Sequence, residues 1–301
     1  MDAHLHFIVN KQSKKSDRVF KSLLLELPKY TLNYKLYLTN NISELDKLLS
    51  MMRKTIAKND IIVVVGGDGS LNQFVTLYKK YDFNNCISYI PSGSGNDFAR
   101  AHNIPFNTKK ALKHLFQVKE KQNFSFIYGK ENSTKHYAVN SIGIGIDGLI
   151  NELVNSKGVK ENLGALSYLS VLFSAYRQQN KFPATLKVDQ GEYIFENAQL
   201  VLIANNPFFG GGIRILPDAD GKDEILDILI ADDVSLWHLF SILLRVLTGN
   251  KHLNHPNLHS FQSKKVELQI DSDEYAQKDG EVFKQKSYDY HFHVEEISFW
   301  I

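Results

Sequence analysis

The sequence predicts an α/β protein: an N-terminal domain built on a parallel sheet, followed by a mostly β, sandwich-like C-terminal domain. Two observations carry this prediction. Strand and helix patterns alternate over the first 120 residues or so, and short strand patterns then dominate the remainder. The chain has 301 residues, more than a typical single domain, so two domains are expected.

The first third supplies the alternating elements. Strands are predicted for the apolar runs HLHFIVN, YKLYLT, DIIVVV and CISYIP. Helices are predicted for SDRVFKSLLLELPKY, ISELDKLLSMMRKTIAK, LNQFVTLYKKY and the short segment DFARAHNI. This order is typical of a parallel sheet with right-handed crossovers.

The pattern changes near residue 123. Strands are predicted for HYAVNSIGIGI, ATLKVD, EYIFENAQLVLIANN, EILDILIAD, SKKVELQID and YHFHVEEISFWI. Only two helical stretches, 163–176 and 234–247, are predicted to interrupt them. We therefore expect an α/β domain over residues 1–123 and a β-rich domain over residues 124–287.

A glycine loop follows the most apolar strand. The segment VVVGGDGSLNQF places Gly66, Gly67, Asp68 and Gly69 directly after a run of β-branched residues. Such a loop at the carboxyl end of a parallel strand is where α/β proteins bind ligands. A tight strand-to-helix turn capped by Asp68 explains the same residues, and this stretch alone does not separate the two interpretations.

A second glycine loop, IPSGSGNDFAR, follows the next strand and leads into a helix whose first turn holds Asn96 and Asp97. Its amide N–H groups, the hydroxyls of Ser92 and Ser94 and the helix N-terminus form an anion site. No Lys-Ser/Thr pair follows either loop, so neither is a Walker A motif. Two such loops in one α/β domain favour a phosphate-containing ligand.

Composition limits the other possibilities. The formal net charge of +2 gives no global reason to expect nucleic acid as a partner. Cys86 is the single cysteine, so an intrachain disulfide is impossible and a reducing cytoplasm is expected. The first residues lack a signal-peptide pattern, and no apolar helical candidate approaches the ~20 residues that span a bilayer.

Three other patterns are rejected as ligand sites. Gly143, Gly145 and Gly148 fit GxGxxG, but no acidic residue follows at the spacing of a dinucleotide site. Asp218, Asp220 and Asp223 do not have the order of an EF-hand loop. The spaced histidines before and after Pro256 cannot share one regular helix face.

Five motifs in order resemble the bacterial diacylglycerol/lipid kinase family. GGDGS resembles the GGDGT signature shared with NAD kinases and phosphofructokinases, and SGSGNDFAR resembles the GTxNDFAR element of the lipid kinases. AVNSIGIGIDG, ANNPFFGGGIRILPDA and KDGE are similar to the family's later motifs. The resemblance covers essentially the whole chain.

This resemblance implies transfer of the γ-phosphoryl group of ATP, with Mg²⁺, to a lipid hydroxyl. It also implies that residues 288–301 return to complete the ATP-binding domain. Glu281 falls on the family's proposed general base, and Asp68 is expected to organise metal and phosphates. The residues expected to bind the nucleotide are Asn10, Thr39, Gly66, Gly67, Asp68, Gly69, Ser70, Leu71, Asn72, Ser94 and Asp97. Asp223 falls on a structural Mg²⁺ ligand, with Asp220 and Ile225 at positions that contribute backbone carbonyls.

The chain departs from the family pattern at several positions. Ser70 replaces Thr, which keeps the hydroxyl, whereas Gln73 replaces a Glu and removes a charge. Lys11 follows Asn10 where the family usually has Pro, and FSFIYGK lacks an Asp that helps organise magnesium water in some members. Lys222 and Glu224 flank Asp223 where Asp and Gly are usual. An altered metal network is one consequence to expect.

The expected substrate and partners also follow from the resemblance to the lipid kinase family. A lipid alcohol at a membrane surface is the expected partner, reached by peripheral contact, and a homodimer formed through an edge strand is an open alternative to a monomer. The apolar residues of 163–176 and 234–247 fit a packed core or the access route of an acyl chain. A kinase of a soluble acceptor such as NAD and a non-catalytic nucleotide- or lipid-binding regulator remain the alternative functions.

Overall fold

The computed structural model describes residues 3–12, 15–156, 165–249 and 251–301, with the backbone alone for 165–169 and 247. Strands and helices alternate through the first part of the chain, as predicted. They are β1 (Leu5–Asn10), α1 (Ser16–Glu26), β2 (Tyr34–Thr39), α2 (Ile42–Thr55), β3 (Ile61–Gly66), α3 (Asp68–Lys80), β4 (Ile87–Pro91), α4 (Asp97–Ala101) and α5 (Thr108–Gln117).

These elements form a three-layer α/β unit. The strands are parallel in the order β2-β1-β3-β4. Every residue of β3 is buried, because helices cover both faces of the sheet. Helices α2 and α3 pack on one face, through side chains such as Leu49 and Phe74, and α1 and α5 pack on the other, through Leu23 and Leu112.

The second part of the chain is mostly antiparallel. Its elements are β5 (Gln122–Glu131), β6 (Thr134–Ala138), β7 (Ser141–Gly145), α6 (Ile146–Ser156), α7 (Ala165–Gln178), β8 (Phe182–Val188), β9 (Gly191–Ala204), β10 (Phe208–Phe209), β11 (Ile213–Arg214), β12 (Leu226–Asp232), α8 (Leu236–Leu247), β13 (Leu258–Ser263), β14 (Lys265–Ile270), β15 (Glu274–Lys278), β16 (Glu281–Gln285) and β17 (Tyr288–Phe299). Within the described ranges, no helix combines the length and apolar character that crossing a bilayer requires.

The long strand β17 joins the two parts. Its first residues pair with β14, its middle and end pair with β5, and Phe299 is aligned with Ile87 of β4. Trp300 donates its backbone N–H to the carbonyl of Ile87 over 2.7 Å. A continuous hydrogen-bonded sheet therefore runs from the parallel strands into the β-rich part, and the division near residue 123 stays a prediction.

The structure corrects several element predictions. The expectation of only two helices in the β-rich part is wrong, because α6 begins at Ile146 immediately after β7. Its apolar residues continue the apolar run of the strand, so no polar segment marks the change, which occurs at Gly145 with φ +91°. Sequence reasoning also missed α5 and β5, and it read β6 and β7 as one strand although residues 139 and 140 separate them.

Both helices that were predicted in this part are present. Helix α7 begins at Ala165 within the described residues, and positions 163 and 164 of the predicted stretch lie outside them. Helix α8 begins at Leu236, two residues later than predicted, because Ser235 caps it: the Ser235 hydroxyl accepts the backbone N–H of His238 over 3.2 Å.

Candidate active site

The two glycine loops contact each other at the carboxyl ends of β3 and β4. A Cβ atom added to Gly93 would lie 2.5 Å from the Cα of Gly67, a distance that real side chains do not tolerate. The backbone N–H of Ser92 also donates to the carbonyl of Gly66 over 2.7 Å. Glycine at positions 67 and 93 therefore lets two backbones form a single surface without side chains.

Asp68 connects this surface to helix α4. Its carboxylate accepts the backbone N–H groups of Asp97 and Phe98 over 3.0 and 3.1 Å. These amides belong to the free N–H groups that every helix N-terminus presents. The side-chain amide of Asn140 lies 3.4 Å from the same carboxylate. Each carboxylate oxygen accepts more than one hydrogen bond, so Asp68 retains acceptor capacity.

Asp97 is a second, buried carboxylate beside Asp68. It accepts the backbone N–H of Gly211 over 2.8 Å. Burial raises the pKa of Asp97 to about 6, and the charge of Asp68 acts in the same direction. The glycine loop at 210–212, in which all three φ angles are positive, therefore folds over α4 and brings a third motif to the same place.

Asp279 links the β15–β16 hairpin to the rest of the site. This buried carboxylate accepts the side-chain N–H of Asn72 over 2.6 Å and the backbone N–H groups of Val139, Asn140 and Ser141 over 2.6, 2.8 and 3.1 Å. Burial raises the pKa of Asp279 to about 6, and the four donors oppose the increase. A single side chain thereby holds α3, the β6–β7 connection and the hairpin together.

Glu281 lies directly after the turn of this hairpin. Asp279 and Gly280 both have positive φ angles, 45° and 87°, as the central residues of a tight hairpin turn require. Glu281 is exposed, and its Oε1 accepts a hydrogen bond from Nε2 of Gln73 on α3 over 2.6 Å. The candidate base from the β-rich part therefore touches the helix that follows the first glycine loop.

A cavity opens beside this contact, at the carboxyl ends of β1, β2 and β3. Its polar lining includes Asn10, Thr39, Ser70 and Gln73. The side-chain amide of Asn10 donates to the hydroxyl of Ser70 over 2.8 Å. Its apolar walls are formed by Ile8, Leu45, Val64, Val65 and Phe74. The structure thus brings four sequence positions from three separate elements to one concave surface.

Two of the expected nucleotide-binding residues have other roles. Leu71 is fully buried in the core, and its backbone N–H is bonded to the carbonyl of Gly67 within α3. Asn72 is 1% exposed, and its side-chain amide donates to the carbonyl of Tyr137 as well as to Asp279. Both residues position the loop, whereas Gly67, Asp68, Gly69 and Ser70 are partly exposed and Ser94 is exposed.

The expected structural metal ligands share one turn. The backbone N–H of Asp223 donates to the carbonyl of Asp220 over 3.1 Å, and the backbone N–H of Ile225 donates to the Asp223 carboxylate over 3.0 Å. Burial raises the pKa of Asp223, and the Asp220 charge adds to this effect. No group of three or more His, Cys, Asp or Glu side chains in the described ranges forms a metal cage. A cation at this turn would therefore depend on backbone carbonyls, and the assignment stays a prediction.

The residues that sequence reasoning missed are asparagines and one aspartate. Asn140, Asn206 and Asp279 each lie inside a quoted motif, but no role followed from the sequence. The side-chain amide of Asn206 donates to the Val139 carbonyl over 3.0 Å and to Oδ1 of Asn140 over 3.2 Å. The sequence feature that could have identified them is an amide or carboxylate side chain just beyond the end of a buried strand, where unpaired backbone groups need hydrogen-bond partners.

The geometry fits a magnesium nucleotide. The two carboxylates both lie close to Gly95, since a Cβ there would be 3.4 Å from Oδ2 of Asp68 and 3.8 Å from Oδ2 of Asp97. Mg²⁺ is commonly held by one or two carboxylates together with water and phosphate oxygens. The glycine surface leaves room for phosphates close to backbone amides. Asp68 and Asp97 would hold the metal.

Comparison with known proteins shows which domain families this sequence matches. Residues 4–124 match the model of the diacylglycerol kinase catalytic domain, and residues 140–292 match that of the YegS C-terminal NAD kinase beta sandwich-like domain. The chain is 25% identical over 280 residues to "Putative lipid kinase YtlR" of Bacillus subtilis (strain 168), and the aligned region covers 88% of each chain. It is 28% identical over 235 residues to "Putative lipid kinase SAS0691" of Staphylococcus aureus (strain MSSA476), which covers 76% of this chain and 73% of that protein.

Solved structures share the fold. The crystal structure of "a putative diacylglycerol kinase from Bacillus anthracis str. Sterne" superposes with a TM-score of 0.77 at 18% identity, over 98% of this chain and 96% of that one. A second structure of a protein with the same description gives a TM-score of 0.74 over the same shares. Since the two family models together account for most of the sequence, the chain belongs to the lipid kinase family that combines a diacylglycerol kinase catalytic domain with a YegS-type β-sandwich domain.

Proposed function

We propose that this protein transfers the γ-phosphoryl group of ATP, in the presence of Mg²⁺, to the hydroxyl group of a lipid alcohol such as diacylglycerol. The observation that carries the proposal is the contact between Gln73 and Glu281. In this contact an exposed carboxylate from the β-rich part lies beside the helix that begins at the glycine surface. The names of the relatives, lipid kinases and a diacylglycerol kinase, support the class of acceptor.

The glycine surface provides for the phosphates. Phosphoryl transfer needs positioning and charge neutralisation from the protein more than covalent chemistry. The backbone amide of Gly67, together with the hydroxyls of Ser70 and Ser94, would orient the phosphates, whereas the Gly93 amide already donates to Oδ1 of Asn96 over 2.9 Å. Mg²⁺, when bound, neutralises the charge that develops on the phosphate oxygens. Asp68 and Asp97 are the carboxylates on the protein that would hold it.

Glu281 would act as the general base. It is exposed, so it is reachable by a substrate hydroxyl, and one of its oxygens is fixed by Gln73. The other carboxylate oxygen would accept the proton of the lipid hydroxyl as the hydroxyl oxygen attacks the γ-phosphorus, the bond from the γ-phosphorus to the β–γ bridging oxygen breaks and ADP leaves. A positioned base of this kind contributes roughly 10²–10⁴-fold to a rate.

Acceptor assays test the proposal. The protein is incubated with γ-labelled ATP and Mg²⁺ and with one of several acceptors: diacylglycerol, sphingosine or another lipid alcohol in mixed micelles, NAD in solution, or none. Labelled phospholipid is the expected product. Labelled NADP would instead identify a kinase of a soluble acceptor, and ATP binding without transfer to any acceptor would favour a regulator.

A further inference from the structure

Helix α8 is apolar on two sides. Leu239 and Ile242 are buried against a core that also contains Val171 and Leu172 of α7. One side of the helix is therefore buried in the core. A surface helix of a globular protein ordinarily presents polar residues on its opposite side.

The opposite side of α8 is apolar instead. Trp237 is 83% exposed, and Leu236, Phe240 and Leu244 are 46%, 58% and 53% exposed. Positions 237, 240 and 244 recur at intervals of three and four residues, so these side chains share one face. We call these four residues the outer face of α8. An exposed group of large apolar side chains marks an interaction surface in a soluble protein.

The charged residues that the sequence places within and just after α8 are basic. The sequence has no acidic residue between Asp233 and Glu267, whereas Arg245 and Lys251 lie within or just beyond α8. The two carboxylates that precede α8 in the sequence already have partners, since Asp233 is paired with Lys181 and Asp232 accepts the backbone N–H of Asn197. Apolar side chains that include tryptophan, next to basic ones, are the composition that binds an anionic bilayer surface.

Helix α8 is also connected to the candidate active site. His252, just after the helix, is fully buried, and its Nε2 is hydrogen-bonded to the carbonyl of Ile215 over 2.7 Å. Ile215 belongs to the segment after the glycine loop at 210–212, whose Gly211 donates to Asp97. Side chains of this segment, including Leu216, pack in the same core as α8. A surface bound at the outer face would therefore lie on the part of the molecule that adjoins the site.

We propose that the outer face of α8 is the membrane-docking surface of the protein and that its partner is an anionic lipid bilayer. Trp237 and Phe240 insert among the lipid headgroups, while Arg245 and Lys251 contact anionic headgroups. This inference rests on the proposed lipid kinase function for its biological purpose, but its physical claim concerns binding alone.

Vesicle binding tests the claim directly. The wild type is sedimented with vesicles of equal parts phosphatidylglycerol and phosphatidylcholine, and with vesicles of phosphatidylcholine alone. The double variant Trp237→Ser/Phe240→Ser is expected to lose at least about tenfold in affinity for the anionic vesicles, since each aromatic side chain buries a large apolar area. The variant Arg245→Gln/Lys251→Gln is expected to lose affinity for anionic vesicles only, by roughly fivefold per charge, and to show a weaker salt dependence.

A matched control comes from another exposed apolar pair. Leu25 and Leu32 are 72% and 85% exposed on the N-terminal part of the chain. The variant Leu25→Ser/Leu32→Ser removes a similar number of exposed apolar residues and is expected to bind vesicles as the wild type does. Thermal unfolding of every variant checks that the fold is retained.

Four outcomes would overturn the inference. The first is unchanged vesicle binding by the Trp237→Ser/Phe240→Ser variant, and the second is an equal loss of vesicle binding in the control variant. The third is no vesicle binding by the wild type. The fourth is a wild-type dimer that the Trp237→Ser/Phe240→Ser variant converts into a monomer while vesicle binding stays intact. The last result would identify the outer face as a contact between two copies of the chain.

The acceptor assays test the proposed function independently of the docking surface. Vesicle binding that depends on α8, combined with no phosphoryl transfer to any lipid, would retain the docking surface and reject the kinase. Transfer to water-soluble dioctanoylglycerol without α8-dependent vesicle binding would retain the kinase and reject the docking surface.

Discussion

Gln73 donates a hydrogen bond from Nε2 to Oε1 of Glu281 over 2.6 Å, although the two residues are 208 positions apart in the sequence. The family pattern that this chain resembles has a glutamate at the position of Gln73. Two carboxylates there would repel each other, whereas the amide of Gln73 donates a hydrogen bond to Glu281. The departure that looked in the sequence like the loss of a charge is, in the structure, a contact to the candidate base.

Replacing Gln73 by Glu tests this contact. Repulsion between two carboxylates favours the protonated state of one of them, so the acidic limb of the pH–rate profile is expected to move to higher pH. Measurement of kcat/KM for phosphoryl transfer between pH 5 and 9 gives the result. Gln73→Met, which has a similar size and no charge, is expected to lower the rate without that displacement. Identical acidic limbs for Gln73→Glu and the wild type would reject the contact as functional.

The sequence predicted the parallel sheet because β3 is a run of β-branched residues that ends in glycines. It also predicted a glycine loop after each of two strands of this sheet, and the structure shows that the two loops contact each other. It could not predict the bonds of Asp279, which join segments separated by more than 130 positions through backbone N–H groups. Leu71 and Asn72 were assigned to the nucleotide because they lie in a motif, and only packing shows that they point inward. Helix α6 was missed because it follows a strand with no polar break.

The close approach of the glycine loops predicts unequal effects of two alanine substitutions. Gly93→Ala would put a Cβ 2.5 Å from the backbone of Gly67, so the loops must separate. We expect a loss of about 1–3 kcal/mol in the free energy of unfolding. Gly69→Ala is the control, because a Cβ there meets no described atom within 4 Å. Denaturant titration of both ligand-free variants measures the difference, and equal stabilities would contradict the packing.

Asp279 is expected to be a large contributor to stability. In Asp279→Asn, an amide NH₂ group would face backbone N–H groups, and buried donors would lose their acceptor. We expect a cost of about 2–4 kcal/mol in the free energy of unfolding. The control is Asp273→Asn in the same hairpin region, because Asp273 is exposed and pairs with Lys284 on the surface. That pair is worth about 0–1 kcal/mol. Similar losses in both variants would show that Asp279 is not the link between the segments.

Asp147 is expected to make the free energy of unfolding depend on pH. It is buried beside Gln277, which donates to its Oδ2 over 2.8 Å, and burial raises its pKa from 3.8 to about 7. The folded state therefore binds a proton more tightly than the unfolded state. This contribution stabilises the fold at low pH and is lost as the pH rises from about 4 through 7.

Urea unfolding of the wild type and Asp147→Asn at pH 5 and pH 8 isolates this group, because the other titrations are common to both proteins. Between these values the wild type is expected to lose about 2–3 kcal/mol more stability than the variant. Parallel changes in the two proteins would show that Asp147 does not titrate in this window.

The central claim is that ATP held at the glycine surface is attacked by a lipid hydroxyl whose proton passes to Glu281. The most direct measurement compares ATP affinity and γ-phosphate transfer to diacylglycerol for the wild type and Glu281→Gln on matched preparations. The account expects labelled phospholipid from the wild type, a loss of at least about a hundredfold in the variant and an unchanged affinity for ATP. Equal rates for the two proteins, or no labelled phospholipid from the wild type, would contradict it.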